Sequence, residues 1–317
     1  MSATAASLNS TNVRKSVTLA WQRLQVAVAS VVAPELAVET ATRMFFTPPR
    51  FARPQHEHEA LALGTPFDVA TPYGKVAAWR FGERTRPAVV LVHGWAGRGA
   101  QLRAFAIALR DAGYQAVMFD APGHGESEGR EASIVHFIRA LDAVVASVEL
   151  HGAKTAGIVA HSLGAGATTA WLNETRRALR VVLVAPPTSV QRYSAWFARK
   201  FGIPETIRRR MQERFERRHG YRWADFELPQ SVARVKAEAL IVHDRDDRDV
   251  QPSSGLTLAR AWPRAKFLAT QGLGHRRILR DPQVVADAVD FIGDRVRFSP
   301  PPRRGEASAF FEPAPLV

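Results

Sequence analysis

The sequence predicts an α/β fold with a mostly parallel, doubly wound central sheet and a helical cap inserted late in the chain. Three observations lead to this prediction. Apolar runs of strand length alternate with amphipathic helical patterns over most of the chain, and one aromatic stretch late in the chain carries no strand pattern. Repeated alternation of this kind places helices on both faces of a mostly parallel sheet. The 317 residues, 46% of them hydrophobic, are enough for one large domain with a buried core.

Residues 1–60 are expected to form a helical extension followed by a proline-rich loop. The helix is expected over residues 13–33, where apolar residues recur at helical spacing. Its apolar face would comprise Val17, Trp21, Leu24 and Val28. This face either packs against the rest of the protein or makes a weak contact with a membrane surface. We favour packing, because the polar face of the helix carries few basic residues.

The core of the fold is predicted at 61–186 and 231–295. It begins with two antiparallel strands at 67–71 and 76–81, because the Pro-Tyr-Gly sequence between them is typical of a tight turn. Buried strands and amphipathic helices alternate after this hairpin, and Asp281 is expected to cap the last helix. Further strands are expected at 88–92, 115–119, 155–160, 181–185, 239–242 and 267–269, with helices at 100–112, at 134–150, after 162 and after 281.

The helical cap is predicted at 187–230, where aromatic residues and arginines replace the strand pattern. An insertion between two strands of such a sheet is expected to lie over its carboxyl edge, where active sites form. Its aromatic residues, including Trp196 and Phe197, are candidates for lining an apolar substrate pocket, with the core of the cap itself as the alternative role. The arginines of the cap are expected to face solvent. The proline-rich tail at 296–317 is expected to be disordered.

The basic composition does not by itself identify a partner. A formal net charge of +13 would suit nucleic acid or anionic lipid, but the arginines are scattered and no nucleic-acid-binding motif accompanies them. We therefore expect a solvated basic surface and no nucleic-acid partner. Hydropathy predicts neither a membrane-spanning segment nor a signal peptide, so we expect a cytoplasmic location. The absence of cysteine excludes a thiol nucleophile.

The candidate nucleophile is Ser162. A buried strand pattern runs directly into A-H-S-L-G at 160–164, and a small-residue helical pattern follows. Strand, sharp turn and helix in this order are typical of a nucleophile elbow, in which the residues two before and two after the nucleophile are small. Ala160 and Gly164 meet this demand, although alanine replaces the first glycine of G-x-S-x-G. An ordinary serine at a helix N-cap is the alternative, and the motif alone leaves both interpretations open.

A serine nucleophile needs a base, an acid that orients the base, and donors for the oxyanion. An acidic loop follows the strand predicted at 239–242, and His275 follows the strand predicted at 267–269. His275 is the only histidine downstream of the acidic loop. The chain order of serine, acid and histidine is the one found in α/β-hydrolases, so His275 is the candidate base.

Five motifs occur in order along the chain: L-V-H-G-W at 91–95, D-A-P-G-H-G-E-S at 120–127, the elbow, the acidic loop, and G-L-G-H at 272–275. On these motifs the chain resembles, from residue 67 to residue 294, the α/β-hydrolase superfamily, and within it the serine esterases and lipases with a short helical cap. The resemblance implies Asp247 as the acid, because His243 and Val250 align with the family pattern H-G-x-x-D-x-x-V-P; Asp246 is the alternative.

The same resemblance implies an oxyanion loop at the H-G-W sequence. The backbone N–H groups of Trp95 and Leu163 would then be the two oxyanion donors. His93 and His124 are expected to be structural hydrogen-bonding residues, and His161 is a candidate substrate-pocket residue.

These residues predict a serine hydrolase of the esterase or lipase type. Ser162 would attack an ester carbonyl, His275 would transfer the proton, and Asp247 would orient the imidazole. We expect a small apolar acyl ester as the substrate and neither a cofactor nor a metal. A thioesterase or peptidase of the same fold is an alternative, and a non-catalytic binding protein that uses its basic cap is another. Dehalogenases and epoxide hydrolases of similar fold are disfavoured, because they use an aspartate nucleophile. The oligomeric state is not predicted.

Overall fold

This computed structural model describes residues 21, 23, 24, 26–295 and 301. Two predicted segments lie outside the described residues. They are the part of the predicted helix before residue 21 and, except for residue 301, the tail at 296–317 that was predicted to be disordered. The chain divides into two compact units. Ser189–Ala224 and the residues up to Thr47 form one, called the helical unit; Pro48–Thr188 and the residues from Asp225 form the other, called the sheet unit.

The sheet unit contains eight strands, in the order β1-β2-β4-β3-β5-β6-β7-β8 across the sheet. β2 pairs antiparallel with both β1 and β4, and all other neighbours are parallel. The predicted fold class, a mostly parallel α/β sheet of the α/β-hydrolase type, is confirmed. The strands are β1 (Thr65–Thr71), β2 (Gly74–Phe81), β3 (Ala88–Val92), β4 (Gln115–Phe119), β5 (Thr155–His161), β6 (Arg180–Val184), β7 (Glu238–Asp244) and β8 (Ala265–Thr270).

Helices connect the strands and cover the sheet. From residue 34 onward the α-helices, in chain order, are α1 (Pro34–Phe46), α2 (Gln55–Ala62), α3 (Arg103–Asp111), α4 (Ile134–Leu150), α5 (Leu163–Thr175), α6 (Val190–Phe201), α7 (Glu205–His219), α8 (Leu228–Ser231), α9 (Pro252–Ala261), α10 (Gly274–Arg277) and α11 (Pro282–Ile292). Short 3-10 turns lie at Gly99–Leu102, Trp223–Phe226, Val232–Arg234 and Ile278–Arg280. None of the helices among the described residues is both long and apolar enough to span a bilayer.

The continuous apolar sequences form the buried centre of the sheet. Every residue of β3, with the sequence A-V-V-L-V, is buried, and so is every residue of β4. Strands that are covered on both faces need apolar side chains at successive positions, which explains why these runs do not alternate. In β8, at the edge of the sheet, only Ala265 is buried.

Helix ends in the sheet unit follow local capping chemistry. Ser133 begins α4 by accepting a hydrogen bond from the His136 amide. Asp281 begins α11 by accepting from the amides of Gln283 and Val284, and Pro282 occupies its first position. The second cap was expected from the sequence. The proline-rich loop was expected to extend to residue 58, whereas residues 55–58 form the first half of α2.

The helical unit is built around an aromatic cluster that joins distant parts of the sequence. The ring of Phe45 on α1 lies 5.0 Å from that of Phe197 on α6 and 5.8 Å from that of Trp223. Phe46 stacks on Phe215 of α7, with ring centroids 5.4 Å apart. Residues of the predicted N-terminal extension and of the predicted cap are therefore parts of one compact unit.

The segment before α1 does not bury the apolar face that was expected to pack against the protein. Its backbone is helical over residues 26–32. Val26 is buried, but Trp21, Leu24 and Val28, the described members of the predicted packing face, are all more than half exposed. The packing interpretation is wrong for these three side chains, because α1 supplies the buried face through Ala37, Val38 and Ala41 instead.

Candidate active site

Ser162 lies at a sharp turn between β5, which ends at His161, and α5, which begins at Leu163. Its backbone has φ +50° and ψ −123°, a conformation that is strained for any residue other than glycine. The side chain of Ser162 makes no capping hydrogen bond to α5. The geometry is therefore the one expected of a nucleophile elbow and not that of an ordinary N-cap serine, whereas the role of Ser162 as a nucleophile stays a prediction.

The elbow demands a glycine at position 164 because α5 starts against the end of β3. A Cβ atom on Gly164 would lie 2.3 Å from the carbonyl oxygen of His93 and 2.7 Å from that of Val92. The loop after β3 is equally close to the serine, since a Cβ on Gly94 would lie 2.8 Å from the Cβ of Ser162. The small residues thus allow the loop after β3 to approach the serine directly.

The structure brings two further candidates into contact. His275 lies after β8 and Asp247 after β7, and His275 Nδ1 is 2.7 Å from Asp247 Oδ2. The other oxygen of Asp247 accepts hydrogen bonds from the backbone amides of Asp249 and Val250, at 2.8 and 2.9 Å. Burial raises the pKa of Asp247, but hydrogen bonds from His243 and His275 outweigh it and hold the pKa well below its usual range.

The other carboxylates of the acidic loop face elsewhere. Asp246 Oδ2 accepts a hydrogen bond from the Gly272 amide at 2.8 Å. Asp244 accepts from the hydroxyl of Thr270 at 2.7 Å and from the Gly274 amide at 2.8 Å. Asp247, not Asp246, is therefore the carboxylate that contacts His275, while Asp244 fixes the loop that carries His275.

His161 contacts the backbone of His275. Its Nε2 atom lies 3.0 Å from the carbonyl oxygen of His275, and the two rings are 4.6 Å apart. Burial lowers the pKa of His161 to about 3, and proximity to His275 contributes in the same direction. A neutral His161 therefore donates its Nε2 proton to this carbonyl. Its role as a substrate contact stays a prediction.

His243 is a site residue that sequence reasoning did not identify as one. Its Nε2 atom lies 3.2 Å from Asp247 Oδ2 and 3.2 Å from the carbonyl oxygen of Val250. Gly255 makes room for the ring, because a Cβ there would lie 2.5 Å from His243 Nδ1. The only available signal was its position four residues before the acid.

The loop after β3 is held by two buried histidines. The amide of Ala96 donates to His124 Nε2 at 3.1 Å, and the amide of Ala121 donates to His93 Nε2 at 2.8 Å. Burial lowers the pKa of His93 to about 4 and that of His124 to about 3, so both rings stay neutral acceptors. The expected structural role of these two histidines agrees with the contacts.

Of the two predicted oxyanion donors, Leu163 directly follows the serine, and Trp95 follows Gly94, whose Cβ position lies 2.8 Å from the Cβ of Ser162. Leu163 is the first residue of α5, and the amides of a first helical turn have no acceptor within their helix. Within the described part of the chain, no backbone carbonyl accepts a hydrogen bond from the Trp95 amide. The role of both N–H groups as oxyanion donors stays a prediction.

Not all candidates are directly joined. Among the residues that the structure describes, no hydrogen bond links Ser162 Oγ to His275. The residue before the serine, His161, contacts His275 instead, through its Nε2 atom and the His275 carbonyl oxygen. Trp196 and Phe197 lie in the helical unit, where Phe197 is buried against Phe45 and Trp196 is half-exposed beneath the ammonium of Lys200. Their contact with substrate stays a prediction.

Within the described ranges, no group of three or more His, Cys, Asp or Glu side chains is arranged so that it could hold a metal ion. The structure shows an imidazole in contact with a buried carboxylate, His275 with Asp247, and their joint action with the Ser162 hydroxyl stays a prediction.

Comparison with known proteins gives one family match. A sequence profile of the family described as serine aminopeptidase, S33 matches residues 83–245, just over half of the 317 residues. A search among curated proteins gives no match.

Solved structures share the fold. The chain is similar to the esterase Pf2001 of Pyrococcus furiosus, with 18% identity, a TM-score of 0.60 and coverage of 78% of this chain and 98% of that one. Est1E of Butyrivibrio proteoclasticus, solved with ferulic acid bound, has 17% identity, a TM-score of 0.58 and coverages of 72% and 98%. The carboxylesterase CesB (YbfK) of Bacillus subtilis has 17% identity, a TM-score of 0.56 and coverages of 76% and 97%. At such low identities the likeness concerns the fold alone.

Proposed function

Because this chain belongs to the serine aminopeptidase S33 family of α/β-hydrolases, we propose that it cleaves carboxylic esters through an acyl-enzyme intermediate on Ser162. The observation that carries the proposal is the backbone of Ser162, held at φ +50° where β5 meets α5. Such strain costs on the order of 1–3 kcal/mol and persists where the surrounding structure enforces it, typically at active sites.

In this mechanism His275 is the general base. Its Nδ1–H donates to Asp247 Oδ2 at 2.7 Å, so the neutral ring presents a lone pair at Nε2. Nε2 takes the proton of Ser162 as the hydroxyl oxygen attacks the ester carbonyl, and the charged imidazole is stabilised by the ionised Asp247. The alcohol then leaves with the proton that Nε2 returns to it.

The negative charge that develops on the carbonyl oxygen is stabilised by the amides of Trp95 and Leu163. One such donor contributes about 2.7 to 4 kcal/mol to the lowering of the barrier in a well-studied serine hydrolase. A water molecule, deprotonated by His275, then attacks the acyl-enzyme, and Ser162 leaves with a proton from the imidazole. The overall products are a carboxylic acid and an alcohol.

Esters are favoured as substrates by the esterases among the structures of similar fold. The family description favours a second candidate, hydrolysis of a peptide bond by the same groups. The two differ in the leaving group, which is an alcohol for an ester and an amine for a peptide. A graded series of nitrophenyl esters, assayed beside the corresponding aminoacyl nitroanilides, distinguishes them by which series is turned over.

The proposed nucleophile is tested with a fluorophosphonate probe. We expect the native protein to be labelled and Ser162→Ala to be unlabelled, with ester hydrolysis in the variant reduced by on the order of 10⁶-fold. Circular dichroism checks that the variant is folded. A folded native protein that neither takes the label nor hydrolyses any ester would overturn the proposal and favour a non-catalytic binding protein.

A further inference from the structure

An apolar stripe runs along the helical segment that precedes α1. Its side chains are between 53% and 83% exposed. They recur at intervals of three and four residues, so they share one face of the helix. The stripe consists of Trp21, Leu24, Val28, Val31 and Val32. Contiguous exposed apolar surface of this kind marks an interaction site.

Cationic side chains lie at both ends of the stripe. Near its start, Arg23 Nε donates to the carbonyl oxygen of Lys200 at 3.0 Å. Near its end, Glu35 pairs with Arg210 and with Arg214, the latter at 3.2 Å. One carboxylate between two guanidinium groups leaves a net positive charge at that end. The apolar stripe is thus bracketed by basic groups within a single compact unit.

The charge of the whole chain is concentrated in the same unit. Residues 1–47 and 189–224 contain 14 Lys and Arg against 5 Asp and Glu, a net charge of +9. The chain as a whole carries +13, so these 83 of 317 residues hold most of the excess. An apolar helix face beside a strongly basic surface is the combination that binds at the interface of an anionic bilayer.

We propose that the helical unit docks on an anionic lipid bilayer, with the stripe inserted at the level of the headgroups and the basic groups against the lipid phosphates. Trp21 suits this depth, because tryptophan favours the boundary between acyl chains and headgroups. The helix lies in the plane of the membrane in this arrangement. The inference goes beyond the proposed esterase activity and does not depend on it.

The test is flotation of the full-length protein with vesicles of phosphatidylglycerol and phosphatidylcholine, compared with vesicles of phosphatidylcholine alone. We expect binding to the anionic vesicles and a strong decrease between 0.1 and 1 M salt, since screening shortens from about 10 Å to about 3 Å. Absence of binding to anionic vesicles, or equal binding to both kinds, overturns the proposal.

Variants of the stripe distinguish insertion of its apolar side chains from attraction by the overall positive charge. Leu24→Glu and Val28→Glu are each expected to weaken binding by about tenfold or more, because a carboxylate would enter the interface. Leu63→Glu and Leu150→Glu are the controls, since both leucines are at least as exposed as Leu24 and Val28 but lie in the sheet unit. Equal effects of the two pairs overturn the proposal.

Charge variants test the ends of the stripe in both directions. Arg210→Gln with Arg214→Gln is expected to weaken binding about fivefold for each lost charge. Glu35→Gln frees both arginines from their partner and is expected to strengthen binding several-fold. Circular dichroism checks that the Glu35→Gln variant is folded, and absence of a gain in binding counts against the proposal.

A second copy of the chain is the competing occupant of the stripe. Light scattering decides between the two: a dimer that Val28→Glu converts to a monomer, in a protein that does not float with anionic vesicles, overturns the membrane proposal. Hydrolysis of a soluble nitrophenyl ester without vesicles is measured in parallel. Stripe variants are expected to leave it unchanged, so loss of the esterase activity and loss of docking are distinguishable.

Discussion

Four hydrogen bonds converge on the carboxylate of Asp247. One oxygen accepts from His275 and His243, and the other accepts from the amides of Asp249 and Val250. This set of donors stabilises the ionised form and keeps the pKa of Asp247 well below its usual range despite burial. It also restrains the carboxylate in one orientation, which in turn fixes the tautomer and direction of the His275 ring.

Replacement of Asp247 by asparagine is predicted to abolish most activity while leaving the fold intact. An amide nitrogen at the Oδ2 position cannot accept from His275 Nδ1, so the ring would lose the tautomer that presents a basic Nε2. We expect kcat for ester hydrolysis to fall by on the order of 10⁴-fold. Steady-state kinetics with a nitrophenyl ester measures it.

Asp246→Asn is the matched control for this change. Its amide oxygen can still accept from Gly272, which is the contact that Asp246 makes. We expect kcat within a few-fold of the native value. If Asp246→Asn is the more damaging of the two, the assignment of the acid is wrong.

The sequence predicted some residues of the candidate site and missed others, for a physical reason. Ser162 and His275 follow apolar strands at defined positions, so local patterns reveal them. The contact between His161 and the His275 carbonyl joins residues 114 positions apart, and that of His243 with Asp247 depends on the room left by Gly255. The first contact has no local pattern, and the second has only the spacing of four residues between His243 and Asp247.

At the scale of elements, the approach of α5 to β3 sets the geometry of the elbow. Gly164→Ala is predicted to destabilise the protein and to impair catalysis, because its Cβ would meet two backbone carbonyl oxygens at 2.3 and 2.7 Å. Backbone at this depth cannot move without displacing Ser162 or the loop after β3. We expect a loss of about 1–3 kcal/mol in unfolding free energy, measured by urea denaturation, together with a lower kcat.

Gly166→Ala on the same helix is the control. Its Cβ would meet no atom closer than 3.7 Å, which is an ordinary contact distance. Alanine is a better helix former than glycine by about 1 kcal/mol, so this variant should be as stable as the native protein or more so. Similar losses for both variants would refute the argument from close approach.

Most elements of the sheet unit could be predicted because their patterns are local. The runs at 88–92 and 115–119 became β3 and β4 with their predicted bounds. Helix α1 was not predicted, because its buried face becomes apparent only when Phe45 and Phe46 meet the rings of Phe197 and Phe215. These partners lie 152 and 169 residues further along the chain, a separation that no helical periodicity reveals.

At the scale of the whole molecule, the buried histidines and most of the excess positive charge lie in different units. The sheet unit buries three neutral histidines around the elbow, namely His93, His124 and His161. The helical unit carries most of the excess positive charge. Acidification and salt are therefore expected to act on different units: pH on the stability of the sheet unit, and salt on the surface of the helical unit.

The stability of the protein is predicted to fall as the pH is lowered from about 6.5. Burial lowers the pKa of His93 to about 4 and those of His124 and His161 to about 3, whereas the unfolded chain binds these protons near pH 6.5. Below pH 6.5 the unfolded state therefore holds more protons than the native state, so the free energy of unfolding decreases with decreasing pH. Each histidine contributes up to about 1.4 kcal/mol per pH unit, until the native state is itself protonated near pH 3 to 4.

Urea denaturation between pH 7 and pH 5 measures this slope. Burial raises the pKa of Asp120, which acts in the opposite direction to the histidines. His124→Gln removes one buried histidine and is expected to reduce the slope by about one third, since it eliminates one of three linked protonations. His151→Gln removes an exposed histidine and should leave the slope unchanged. A native protein whose stability is flat over this window, or a slope that both variants reduce equally, would show that the buried rings are not kept neutral by the fold.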